Sequence, residues 1–197
     1  MKTSQCSPVS SSISQHGFSL IEMMVVVTII GSLMAIAIPG YFQWMQSQQI
    51  RNATENLQSA LQSARTYAIA KNTSARVTLT NNLNSGCSKD VNAEAWVVSL
   101  DDPSGSCNAT PSPTDAPRII QTGSGRSGSR VANIEATASE VVFDSLGRTT
   151  AVTIQVKNDN AGDCSDELRC LNILVSAGGQ IRSCDPQLPA GKLGACA

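Results

Sequence analysis

One long apolar run near the start dominates the pattern of the chain. Residues 18–39 are apolar except for small polar side chains and one acid, Glu22. At about 1.5 Å rise per residue, a helix of this length spans roughly 30 Å of hydrocarbon. The pattern therefore predicts a membrane-spanning helix. An acid in lipid needs a partner or a function, and the alternative is that Glu22 lies in the headgroup layer.

After Pro39 the pattern becomes amphipathic. Apolar residues recur at the three- and four-residue spacing of a helix that packs one face on a core, which predicts helix to about Ala70. This stripe consists of Ile50, Ala53, Leu57, Ala60, Leu61, Ala64, Tyr67 and Ala68. The helix either continues through Pro39-Gly40 or restarts after it, because both residues weaken helices.

From Ala75 onward the pattern is that of β-strands. Apolar and β-branched runs are separated by stretches rich in Gly, Pro, Ser, Asn and Asp, including GSGRSGS at 123–129. The runs are ARVTLT, EAWVVSL, RIIQ, EVVFD, TTAVTIQV and CLNILVSA. We expect the fold class α+β: a long N-terminal helix packed on an antiparallel β-domain over residues 73–197, with 101–117 as an insertion.

Composition restricts the function classes. A chain of 197 residues with 41% hydrophobic and 15% charged residues suits one modest globular domain beyond the apolar helix. The net charge of −1 gives no overall attraction to nucleic acid, so binding to a polyanion needs a local basic patch. The only histidine is His16, and no G-x-S-x-G or C-x-x-C motif is present, so we expect neither an enzyme nor a cofactor.

Six of the seven cysteines follow the apolar run, and this even number predicts disulfides formed in an oxidising compartment. Many pairings are possible, of which pairing between sequence neighbours is the simplest. That scheme joins Cys87 to Cys107, Cys164 to Cys170 and Cys184 to Cys196. A metal site is the weaker alternative because the chain lacks paired ligands at metal-binding spacing, and we expect none.

The start of the chain resembles the class III signal of type IV prepilins and pseudopilins. A polar leader ends at Gly17, Phe18 follows, and Glu22 is the fifth residue of the apolar segment. The resemblance implies that a prepilin peptidase removes residues 1–17 and methylates the amine of Phe18. It also implies an assembly helix over 18–39 with an amphipathic continuation over 40–72. Glu22 would pair with the terminal amine of a neighbouring subunit in a filament.

The end of the chain resembles the GspH/FimT group of minor pilins and pseudopilins. The similar segments are VVFDSLGRTT and LNILVSAGGQIRSC. The resemblance implies a type IV pilin fold, an anchor in the inner membrane with a periplasmic β-domain, and later a place in a pilus. The implied partners are other minor pilins and the major pilin. The implied function is to initiate, prime or cap pilus assembly. The alternatives are a pilus-tip DNA-binding minor pilin for natural transformation and a type II secretion pseudopilin.

Some members of this group bind DNA through a C-terminal Gly-Arg-x-Arg turn, so DNA is a further candidate partner. The corresponding stretch is Gly179-Gln180-Ile181-Arg182, in which Gln180 replaces the first arginine. Arg182, with Arg126 and Arg130, would form salt-sensitive phosphate contacts if the fold gathered them. The alternative is that these arginines are scattered over the surface.

Overall fold

The computed structural model describes residues 19–127, 130–158, 164 and 170–196. The chain divides into two compact units, Met1–Tyr41 and Phe42–Ala197. Among residues whose side chains are described, no helical stretch is both long and apolar enough to cross a membrane. The span predicted for 18–39 begins outside the described residues and stays a prediction.

The predicted helix is present as a single element, α1 (Leu20–Lys71). It runs through Pro39-Gly40, so of the two alternatives the continuous helix is correct. Its C-terminus is closed by Asn72, which adopts the left-handed conformation with φ of 49°. The amides of Asn72 and Thr73 donate back to the carbonyls of Ile69 and Ala68, the usual way of satisfying the last turn of a helix.

In the described residues, ten strands form two antiparallel sheets. Sheet 1 has the order β4-β3-β1-β7, and sheet 2 has the order β10-β9-β8-β6-β2 with β5 paired to β6. The strands are β1 (Ala75–Thr80), β2 (Asn92–Ala93), β3 (Ala95–Ser99), β4 (Ile119–Ser124), β5 (Arg126–Ser127), β6 (Arg130–Ala136), β7 (Glu140–Phe143), β8 (Val152–Asn158), β9 (Leu171–Val175) and β10 (Ile181–Cys184). The prediction of an α+β fold with antiparallel sheets is confirmed.

One predicted loop is wrong. The stretch 123–129 contains the end of β4 and all of β5, and β6 follows directly at Arg130. The sequence pattern does not predict β6, because the buried side chains described for this strand are only Ala132 and Ile134. Two buried residues are too few for a clear alternation. Its pairing with β8 from Ala132↔Asn158 to Ala136↔Ile154, and with β5 at Arg130 and Val131, determines the strand instead.

The core lies between α1 and the two sheets. The predicted helical stripe is buried except for Tyr67, which is partly buried. Alanines at positions 60, 64 and 68 give this face of the helix little bulk, so the sheets can approach it closely. They meet Val77, Leu79, Trp96, Val98 and Phe143 from sheet 1 and Ile134, Val152, Ile154, Ile173 and Val175 from sheet 2. Burial of each large apolar side chain stabilises the fold by about 1.5–3 kcal/mol.

Candidate functional site

The first part of α1, from Leu20 to Ala35, presents an apolar surface with one carboxylate. Glu22 lies in the first turn, where a negative charge interacts favourably with the helix dipole, and it is exposed. The polar side chains Thr28 and Ser32 donate to helix carbonyls three residues earlier, each at 2.8 Å. The exposed apolar neighbours are Leu20, Ile21, Met23, Met24, Val25, Val26, Val27, Ile29, Ile30, Leu33 and Met34. Glu22 is thus the single ionisable group from Leu20 to Ala35.

Gly17 and Phe18, the predicted processing residues, lie outside the described residues. The expected cleavage and methylation stay predictions.

Within the described part of the chain, six cysteines form three disulfides between sequence neighbours: Cys87 with Cys107, Cys164 with Cys170, and Cys184 with Cys196. Cys87 and Cys107 pack with Val97 and Ile119 in a small apolar cluster behind sheet 1. The bridge between Cys184 and Cys196 closes the C-terminal loop onto the end of β10. In the part of the chain that the structure describes, no three acidic, cysteine or histidine side chains are grouped to hold a metal.

Arg182, the first candidate DNA contact, is an exposed residue of β10, the edge strand of sheet 2. It lies directly opposite Leu174 of β9, and Leu174 lies opposite Thr153 of β8. Arg182 lines a shallow groove of about 420 Å³ with Thr137 and Thr153 on the outer face of the sheet.

The backbones of Arg126 and Arg130 lie at the other end of sheet 2. Arg130 precedes Ala132, which pairs with Asn158, whereas the row containing Arg182 crosses β8 at Thr153. At about 3.3 Å per residue and 4.8 Å per strand, the Cα atoms are separated by roughly 20 Å or more. The structure does not bring Arg182 together with Arg126 and Arg130.

Arg148, another basic residue near the C-terminal turns, is held by its own turn. The Asp144 carboxylate accepts hydrogen bonds from the backbone amides of Leu146 and Arg148, at 2.9 and 2.8 Å. It also accepts one from the Arg148 Nε at 3.0 Å. The pKa of Asp144 is lowered, mainly by the Arg148 amide. The Phe-Asp-x-x-Gly-Arg segment is thus a self-contained turn rather than a source of an unpaired cation.

Two glycine turns meet beside Arg65 of α1. Gly147 and Gly179 have φ of +73° and +75°, and a Cβ built on Gly179 would overlap the Gly147 carbonyl oxygen. Arg65 Nε donates to that same oxygen at 3.2 Å. Sequence patterns alone did not identify Arg65 as a candidate. Its signal was an arginine placed directly beside the buried stripe, next to Ala64 and one turn from Ala68.

A chain of ion pairs fastens the disulfide-closed loop to sheet 1. The carboxylate of Glu140 in β7 forms ion pairs with Arg76 of β1, at 2.9 Å, and with Lys89. Lys89 also forms an ion pair with Asp102, at 2.9 Å. Hydrogen bonding to Glu140 is the largest cause of a raised pKa at Lys89. The hydrogen bond from Lys89, helped by Ser104, lowers the pKa of Asp102 to about 2. These contacts are structural, because each charge has its partner within the fold.

Comparison with known proteins identifies two parts of the chain. Residues 53–179, well over half of the chain, match the family of the Type II transport protein GspH. Residues 13–38 match the prokaryotic N-terminal methylation motif.

Individual relatives match over shorter stretches. A fimbrial protein of Pseudomonas aeruginosa is 48% identical over 56 residues, 28% of this chain and 36% of that protein. A fimbrial protein of Moraxella nonliquefaciens is 38% identical over 69 residues, 32% of this chain and 45% of that protein. The chain thus spans less than half the length of these curated relatives.

A solved structure is also similar. The crystal structure of the type IV minor pilin FimU from Pseudomonas aeruginosa superimposes with a TM-score of 0.48 at 16% identity, over 70% of this chain and 97% of that one. From the two family matches, the chain belongs to the GspH/FimT family of type IV minor pilins and pseudopilins.

Proposed function

We propose that this chain is a minor pilin that helps to initiate, prime or cap a type IV pilus by packing against other pilin subunits. One observation carries the proposal: the first part of α1 exposes eleven large apolar side chains and a single carboxylate, Glu22. The role is structural, and we assign no catalytic activity to it.

An apolar surface of this extent is unfavourable in water and must be covered. We propose that the inner membrane covers it first and that the helices of other minor pilins and the major pilin cover it after assembly. A prepilin peptidase would cut between Gly17 and Phe18, leaving the β-domain in the periplasm. An oxidising periplasm also suits the three disulfides.

Glu22 is the group in this segment for which apolar packing is costly. A carboxylate enclosed by helices is tolerated when a cation pairs with it, because desolvation otherwise exceeds any gain. The new amine of Phe18 on a neighbouring subunit would supply that cation. Pairing would then select the register of one helix against the next.

A pseudopilin of a type II secretion system is the second candidate. It is favoured by the matched family description, which names type II transport. The two candidates differ in outcome: loss of a minor pilin reduces surface pili, whereas loss of a pseudopilin reduces secretion of folded proteins.

The test is deletion of the gene in its own host, followed by complementation at native expression. We expect loss of surface pili, restored by the wild type and by Glu55→Ala, an exposed acid on the same helix. Glu22→Ala should insert in the membrane but fail to restore pili. Normal piliation in the deletion strain, with defective secretion, would favour the second candidate. Full rescue by Glu22→Ala would show that Glu22 has no pairing role.

A further inference from the structure

We propose that a cleft between α1 and β10, centred on Arg65, binds an acidic side chain of a neighbouring subunit. The cleft has a volume of about 500 Å³ and is lined by Gln62, Arg65, Thr66, Gln180 and Ile181. Its lining residues are different from those of the apolar part of α1. This inference rests on the proposed function in assembly.

Arg65 is held in a fixed position at the base of this cleft. Its Nε donates to Gly147 O, and a Cβ built on Gly179 would be 2.9 Å from the same Nε. A Cβ on Gly147 or Gly179 would crowd this Nε, so the two glycine turns lie close against the Arg65 side chain. Because the guanidinium is ordered before binding, little conformational entropy remains to be lost on contact with a ligand.

Most hydrogen-bond donors of Arg65 are not used within the described residues. A guanidinium carries five N–H groups, and the bond to Gly147 uses the one on Nε. Among the described residues, Arg65 has no other hydrogen bond and no carboxylate partner. Arg65 is partly buried and lines the cleft, so these remaining N–H groups are available to an acceptor on another molecule.

The geometry selects the chemistry of that ligand. With Nε engaged, the two terminal amino groups form an end-on fork that matches the two oxygens of a carboxylate. The surrounding cleft is polar: Gln62 and Gln180 offer amides, and Thr66 offers a hydroxyl oxygen whose own proton goes to Gln62 O. An Asp or Glu side chain fits these groups better than an apolar anchor does.

The experiment uses the full-length protein in membranes of cells that make the other pilins, with a photocrosslinking amino acid at Ser59. Ser59 is exposed one turn before Gln62 and Ser63, so a probe there is next to the cleft without filling it. We expect crosslinks to a pilin subunit, mapped to a segment that contains an Asp or Glu. Changing that acid to its amide should reduce the crosslink yield.

Arg65→Lys should reduce the yield about tenfold, because lysine can still donate to Gly147 O but cannot form a fork. The matched control is Arg51→Lys, the same change at an exposed position of the same helix, which should leave the yield unchanged. Combining Arg65→Lys with the change of the partner's acid to its amide should not reduce the crosslink yield further. Gln62→Trp, which fills the cleft and leaves the Arg65 bond to Gly147 intact, should match Arg65→Lys.

Wild-type yield from Arg65→Lys or Gln62→Trp would overturn the proposal, as would a crosslinked segment without an acid or an absence of crosslinks in piliated cells. These results are distinguishable from failure of the proposed function. In that case the deletion strain would itself be normally piliated, whatever the crosslinks show.

Discussion

Trp96 of β3 lies directly opposite Gly123 of β4, and its indole covers the space that a side chain at 123 would need. A Cβ built on Gly123 would be 2.5 Å from Cε2 and Cζ2 of the ring. Trp96 is one of the largest fully buried side chains of the core. The tryptophan can therefore occupy its site only because a glycine faces it across the strands.

Gly123→Ala should destabilise the β-domain by about 1–3 kcal/mol, the usual cost of forcing an additional methyl group into a packed core. Chemical unfolding of the purified protein, followed by tryptophan fluorescence, measures it. Gly86→Ala is the matched control, because a Cβ there has no neighbour within 4 Å. Equal stability of the two variants would mean that the indole moves aside without cost.

Gly179→Ala should cost more, about 2–4 kcal/mol, because two penalties combine. The left-handed φ of +75° strains any other residue, and the new Cβ would overlap Gly147 O. Gly178→Ala provides a control one residue away: its nearest neighbour would be Ser176 Oγ at 3.9 Å, and the change should be within about 0.5 kcal/mol. If the two variants unfold at the same denaturant concentration, the two turns do not depend on each other.

Sequence patterns that repeat along one element predicted this fold well. The stripe from Ile50 to Ala68 identified both the helix and its buried face, and strands such as β1 and β8 follow from their apolar alternation. What the sequence could not show is pairing over long separations. Strand β6 has little pattern of its own and exists because β8 pairs with it.

The candidate site divides in the same way. Glu22 is visible in the sequence because a charge interrupts an apolar run. Arg65 becomes notable only when Gly147, 82 residues later, is placed against it. The distance between Arg182 and Arg130 likewise depends on strand register, which a list of arginines does not contain.

The unfolding free energy should fall between about pH 4 and pH 2. Pairing with Lys89 lowers the pKa of Asp102 from 3.8 to about 2, so the folded protein keeps this carboxylate ionised at a pH where the unfolded chain binds a proton. The contribution is therefore fully present above about pH 4 and is lost as the pH falls through 2. It is modest, because the Asp102 side chain is half exposed and water screens the pair.

Asp102→Asn should make the acid limb of the stability profile shallower, and Lys89→Met should do the same because it removes the other half of the pair. The pKa values of Asp101 and Asp144 are also lowered, so stability should still decrease with falling pH in both variants, but less steeply. Thermal unfolding at a series of pH values measures this. An acid limb unchanged in both variants would show that this ion pair does not contribute.

DNA binding by the C-terminal turn is expected to be weak. Non-specific DNA affinity grows with the number of phosphates that a protein neutralises, and this number also sets its salt dependence. The register places Arg182 roughly 20 Å or more from Arg130, Arg148 is paired with Asp144, and Gln180 takes the place of an arginine. A single arginine in this groove cannot supply the several phosphate contacts that micromolar binding at physiological salt requires.

The deciding measurement is a mobility-shift titration of the full-length protein in detergent with a DNA duplex, at low and moderate salt. We expect no micromolar complex at moderate salt, and we expect Arg182→Gln to leave both piliation and the titration unchanged. Arg51→Gln, an exposed arginine on α1, controls for the general loss of one positive charge. If instead a salt-sensitive complex forms, and Arg182→Gln weakens it while making its salt slope shallower by about one, DNA capture becomes the better function for this surface.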